Sequence, residues 1–181
     1  MAKRIPVCSV LLLALLFHVG SSMGQTPTIL QQFFVLKSFD PDVKTIGVLL
    51  SNEPNPQFKQ KLAQASVAVG VRSVISRVSG LHEIARAYRE LVDYYKIDFL
   101  WIPPDDPVVA TDLARDYLVR KTIEDGVGIC APTRDWVSKG ATLWVGGERG
   151  KVRPYYNQRT LQALGLGVPE KYAQVSTAAS E

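Results

Sequence analysis

Apolar residues fall along this chain in blocks of two kinds. One kind is short and nearly unbroken: Thr45–Leu50, Ile97–Ile102, Val127–Ala131 and Ala141–Val145, with a more interrupted member at Val71–Val78. Blocks of this length suit strands covered on both faces, as in parallel sheets. The other kind repeats at helical spacing. Phe58, Leu62, Ala65 and Val69 form one stripe, and Ile84, Ala87, Tyr88, Leu91 and Tyr95 a second. Val109, Leu113 and Tyr117 form a third, in a helix expected through Val108–Glu124. Ahead of the first strand, Ile29, Leu30, Phe33, Phe34 and Leu36 predict an amphipathic helix within Gln25–Asp42, ended by Pro41.

Punctuation between the blocks agrees with this alternation. Asn55-Pro56 and Asp106-Pro107 read as N-cap and first helical residue, and Gly70 and Gly165 as helix stops. Ser79 and Asn157 are expected to cap helices, Arg134–Lys139 to make a short helical turn, and Gly146–Pro154 to be a loop. The pattern predicts the α/β class: a single doubly wound, mainly parallel five-stranded sheet of order 2-1-3-4-5, helices on both faces, and a crevice between the first and third strands. Residues 25–172 are expected to form one lobe, and 173–181 a disordered tail.

The stretch Ile97-Asp98-Phe99-Leu100-Trp101-Ile102-Pro103-Pro104-Asp105-Asp106-Pro107 is the most informative. Prolines end strand pairing because they carry no N–H to donate. Asp106 then has a capping role, whereas nothing in the pattern requires Asp105. A carboxylate placed after a central strand stands where open α/β sheets bind ligands.

Composition narrows the picture. The chain has 181 residues and 46% hydrophobic content, enough for one core. Met1–Gly24 has a basic start, an apolar stretch Val7–Phe17 and small residues Ser22 and Gly24, the form of a signal peptide cleaved before Gln25. An uncleaved anchor is the alternative. Of 21 basic residues, Lys3 and Arg4 lie in that segment, leaving 19 against 17 acidic. So small and scattered a surplus gives no case for nucleic acid. A periplasmic or secreted protein is expected. Processing would also remove Cys8, leaving Cys130 alone in an apolar run, a buried core residue without a disulfide partner. His82, in a first helical turn, reads as a solvated residue. No metal-ligand spacing or cofactor motif is present.

Four stretches carry a resemblance: Lys44–Leu50 followed by Ser51-Asn52-Glu53; Val92-Asp93 through Ile97-Asp98 into Ile102-Pro103-Pro104-Asp105; Val137-Ser138-Lys139-Gly140-Ala141; and Asn157 through Ala163-Leu164-Gly165-Leu166-Gly167-Val168-Pro169. In order and spacing they resemble the second lobe of the periplasmic solute-binding proteins of ABC transporters, of the type I periplasmic-binding fold. The resemblance extends from Ile29 to Tyr172. It implies that Ser51, Asn52 and Glu53 after the first strand and Asp105 after the third face a small solute, with Thr133 and Asp135 after the fourth as further candidates. Too few residues precede Lys44 for a first lobe, and the family's crossover helix after the fifth strand is missing. The resemblance therefore implies half a cleft, which covers one side of a ligand.

Two functions follow. One is an exported single-lobe relative that binds or senses a solute such as an amino acid or organic acid. It would work with a partner: an ABC permease, a membrane sensor or a second copy of itself. The other is a non-transport module that docks on a membrane sensor or other periplasmic protein, with Trp101, Trp136, Trp144 and Tyr155-Tyr156 as possible aromatic anchors, although Trp101 reads as core. The plain alternative for the polar set is that these residues cap helices and solvate loops. A phosphoacceptor is not expected. The first strand is followed by Ser51-Asn52-Glu53 where an acidic metal pair is needed, and the fifth by Gly146-Gly147 where a lysine is needed. An enzyme is not expected either, since no nucleophile elbow or phosphate loop appears.

Overall fold

The computed structural model describes residues 26–148, 150–173 and 178–179. The leader expected at Met1–Gly24 lies outside them. The chain runs α1 (Ile29–Phe39), β1 (Thr45–Leu50), α2 (Pro56–Val69), β2 (Arg72–Arg77), α3 (Leu81–Asp93), β3 (Phe99–Trp101), α4 (Asp112–Glu124), β4 (Gly128–Cys130), α5 (Arg134–Ser138), β5 (Leu143–Glu148), β6 (Lys151–Asn157), α6 (Gln158–Ala163), α7 (Glu170–Ala173) and β7 (Ala178–Ala179). The strands make one sheet in the order β2-β1-β3-β4-β5-β6-β7. The first five are parallel, in the expected 2-1-3-4-5 order, with Ile46 beside Phe99 and Val48 beside Trp101. Every residue of β1, β3 and β4 is buried, as unbroken apolar runs require.

Each face of the sheet carries its own core. Phe33, Leu36 and Phe39 of α1, Leu62 and Ala65 of α2 and Leu161 of α6 cover one face. Ile84, Tyr88 and Leu91 of α3, Leu118 of α4 and Trp136 of α5 cover the other. The helix signals are local and conventional. Thr28 and Gln31 form a reciprocal capping box on α1, Asn55 accepts from the Phe58 N–H at the start of α2, and Gly70 ends α2 in the left-handed region at φ 71. Cys130 is fully buried, and burial pushes its thiol above the ordinary range.

Five expectations need correction. The sheet has seven strands, because the loop expected at Gly146–Pro154 is a hairpin: β5 continues to Glu148 and β6 returns antiparallel, Trp144 opposite Tyr155. Gly150 at φ 75 takes the left-handed position that a tight hairpin needs. Second, β7 lies parallel to Tyr156 and Asn157, within the tail expected to be disordered. Ala173, at the start of that tail, closes α7; its other residues lie outside those described. Third, the helix expected from Val108 begins at Asp112 under a Thr111 cap. The intervening turn breaks the helical phase, so Ala114, Leu118 and Val119 face inward and Leu113 is 73% exposed. Fourth, Gly80, not Ser79, is the N-cap of α3; the Ser79 N–H and hydroxyl instead donate to Glu83 at 2.6 and 2.8 Å. Fifth, Trp136 and Tyr156 are buried with Trp101, leaving Trp144 and Tyr155 as the half-buried aromatics of that set.

Gly128 gives the sharpest packing test. A Cβ there would stand 2.3 Å from the Phe99 ring, which lies across β4. Gly128→Ala should therefore cost about 1–3 kcal/mol and lower the midpoint of thermal unfolding by roughly 3–10 °C. An unchanged midpoint in a calorimetric scan would show that Phe99 does not need the bare backbone.

Candidate functional site

The carboxyl ends of β1, β3, β4 and β5 open onto a groove made of four adjoining cavities. The largest, about 760 Å³, lies between the start of α1 and α2 and is walled by Ile29, Phe58, Trp101, Pro103 and Pro104. A cavity of about 190 Å³ adjoins it, between Asn52, Glu53 and Asn55 on one side and Asp105 and Asp106 on the other. On the β4 and β5 side, about 360 Å³ lies between Gln32, Asp105, Pro132, Trp144 and Gly146. Beyond Trp144 a last space of about 250 Å³ is bounded by Arg134, Arg153 and Tyr155. Pro104 borders three of the four cavities, and Trp144 links the last two.

The switch point is held by Asp106. Its carboxylate is 8% exposed and accepts three backbone N–H groups: Ser51 at 2.7 Å, Val108 at 3.0 Å and Val109 at 2.8 Å. One side chain thus satisfies donors from the loops after β1 and after β3, where strand pairing has ended. Asp105 is freed by the same arrangement. It is exposed at φ 64, a left-handed conformation uncommon for residues with a Cβ, and among the described residues no hydrogen bond or ion pair engages it. Ser51 lends its N–H to Asp106, while its Oγ is buried without a partner among the described residues.

The other candidates divide. Asn52 and Glu53 line the groove with Asp105. Glu53 is engaged by Lys59 at 3.1 Å and by Arg77, and the Lys59 hydrogen bond, first, holds its carboxyl below the ordinary range. Thr133 and Asp135 are exposed and border none of the four cavities. Asp135 turns to α4, where Arg115 donates to it at 3.0 Å. Thr133 and Asp135 both stand at the start of the short α5.

Gln32, Trp144 and Arg134 were not singled out as site residues by the pattern. The Trp101 indole N–H donates to Gln32 Oε1 at 2.8 Å, and Gln32 Nε2 donates to the Pro27 carbonyl at 2.9 Å, which fixes the start of α1 beside the groove. An amide at an inward position next to Phe33 was the available signal. Trp144 and Arg134 came into the groove with the unforeseen hairpin.

The opposite rim holds a cavity of about 350 Å³ bordered by Asp40, Asp93, Lys96, Asp98 and Asp125. Its acidic groups serve the fold. Asp98 accepts the Lys44 and Thr45 N–H groups at 2.8 Å each, and burial is the main cause that raises the Asp40 carboxyl above its ordinary range.

Asp106→Asn would present an amide to at least one backbone donor and should cost about 1–3 kcal/mol, a fall of roughly 3–10 °C in thermal midpoint. Asp105→Gly relieves the positive φ and should leave stability unchanged or raise it by up to ~1 kcal/mol. Equal losses in the two variants would show that the two aspartates do not have separate roles.

No family model and no curated protein matches the chain. Solved structures do. A structure described as the ABC domain in complex with L-Trp, from Streptococcus pneumonia, superposes with a TM-score of 0.70 at 20% identity, over 82% of this chain and 59% of that one. A conserved domain protein from Vibrio cholerae gives 0.68 at 16% identity, over 86% and 60%. The ligand-free, open structure of a substrate-binding protein with adhesive properties, from Clostridium difficile, gives 0.66 at 20% identity, over 85% and 61%. The chain spans about three-fifths of the length of each. These likenesses are of fold, and they agree with the sheet order: the described residues have the architecture of one lobe of a solute-binding protein.

Proposed function

We propose that this chain is exported and binds a small solute, of the amino acid or organic acid kind, at the carboxyl rim of its sheet. A second protein surface, from an ABC permease, a membrane sensor or another copy of the chain, would close over the ligand. The observation that carries the reading is Asp105: an exposed carboxylate with no partner among the described residues, held at positive φ at the switch point, bordering two of the four rim cavities. A carboxylate so placed can accept charge-assisted hydrogen bonds from a solute ammonium, while Pro103, Pro104 and Phe58 cover apolar surface. The matched structures support the reading as proteins of this fold that include a binding protein and a complex with L-Trp. Because the groove is open, a partner is expected to strengthen binding, as enclosure does for small ligands generally.

A second reading, docking on another protein without a solute, is favoured by Leu30 and Phe34, exposed one turn apart on α1. Isothermal titration of the processed chain with amino acids and small organic acids separates the two. Solute binding predicts measurable heat, and a loss of roughly 10- to 100-fold in affinity on Asp105→Asn, the worth of one hydrogen bond to a charged group. No heat with any solute, with or without the partner, would contradict it and leave docking.

A further inference from the structure

The rim displays three charged side chains that have neither an ion-pair nor a hydrogen-bond partner among the described residues: Asp105, Arg134 and Lys61. The remaining rim charges are engaged. Glu53 is held by Lys59 and Arg77, Arg153 donates to Glu148 at 3.2 Å, and Asp106 is buried under backbone N–H groups. Lys61 is a flexible stem on the outer side of α2, whereas Arg134 is fixed. Its guanidinium lies 3.9 Å above the centre of the Tyr155 ring. A guanidinium lying over an aromatic ring is held by its face, which leaves the in-plane N–H fork free to take a carboxylate at two points.

The space beside that fork is shaped for an elongated ligand. A Cβ on Gly146 would fall 2.3–3.0 Å from the outer atoms of the Trp144 ring, so that ring lies over the bare backbone and floors the passage between the cavity of Asp105 and that of Arg134. Tyr155 is the cross-strand partner of Trp144 on β6, three strands from the β3 that leads to Asp105. At ~4.8 Å per strand the backbone of Tyr155, on whose ring Arg134 rests, lies roughly 14 Å across the sheet from β3, and that span sets the length of the groove between the two charges. A free amino acid carries its ammonium and carboxylate on one carbon and cannot reach both. An extended peptide gains at most ~3.3–3.6 Å per residue, so about three or four residues fit.

We propose that the ligand of this groove is a short peptide with free ends, its amino terminus on Asp105, its backbone across Trp144 and its terminal carboxylate on the fork of Arg134. This deepens the solute-binding reading above and rests on it.

The test uses the processed full chain, with binding followed by tryptophan fluorescence or calorimetry. The probes are alanine oligomers of one to five residues, and the tri- and tetrapeptide also as C-terminal amides and N-acetyl derivatives. The expected result is binding at least 10-fold tighter for the tri- and tetrapeptide than for alanine, with a further 10-fold loss on amidation. Arg134→Gln should abolish the difference between acid and amide. Asp105→Asn should abolish the difference between free and acetylated amino ends and leave the preference for the free acid intact. Free amino acids binding as well as the peptides, or Lys61→Gln in place of Arg134→Gln erasing the preference for the acid, would overturn the proposal and leave solute binding standing. No binding by any amino acid, organic acid or peptide would overturn both.

Discussion

Two loops meet where strand pairing has run out, and one buried carboxylate holds them. Asp106 accepts the N–H of Ser51 from the β1 side and those of Val108 and Val109 from its own side. Without it the crevice between β1 and β3 would leave three donors, one buried and two part-buried, without their acceptor, and the rim would lose its shape. The same contact fixes its neighbour. Because Asp106 points down into the structure, Asp105 is forced outward at positive φ, into the groove. A buried carboxylate that serves the fold and an exposed one at the groove therefore stand side by side.

The rim is built from rigid parts. β1, β3 and β4 are buried throughout, Pro103 and Pro104 stiffen the chain as it leaves β3, and Gln32 ties Trp101 to the start of α1. Such a surface offers a solute preformed walls and little side-chain entropy to lose. Among the described residues nothing covers it. The described groove is open to solvent, and the solved structures it resembles are longer by the other two-fifths of their chains.

Most of the sheet was legible because burial on both faces leaves a strong local mark. β1 coincides with the apolar run Thr45–Leu50, and the Asn55-Pro56 and Asn157 caps stand where the residue types put them. The hairpin was hidden for a physical reason. Gly146, Gly147 and Gly150 weaken any strand pattern, and Pro154 argues against one, yet cross-strand pairing from Leu143 to Glu148 outweighs these local preferences. The start of α4 misled for a similar reason. Asp106-Pro107 has the form of a helix opening, but the carboxylate is drawn toward Ser51 as well, and the chain makes a separate turn before Thr111 caps the helix. At the site, Asp105 and the Ser51–Glu53 loop could be placed together from strand order alone. Arg134 and Trp144 depend on the hairpin and could not. Thr133 and Asp135 came from resemblance; neither borders the four cavities, and Asp135 is engaged by Arg115 of α4.

The central claim is that ligand chemistry takes place at the carboxyl rim, and backbone amide shift mapping on the isotope-labelled chain tests it most directly. Titration with solute should move the non-proline amides of residues 51–55, 105–109, 131–134 and 144–147, leaving 93–98 and 125–128 at the opposite rim unmoved. Shifts concentrated at 93–98 and 125–128 would contradict the account.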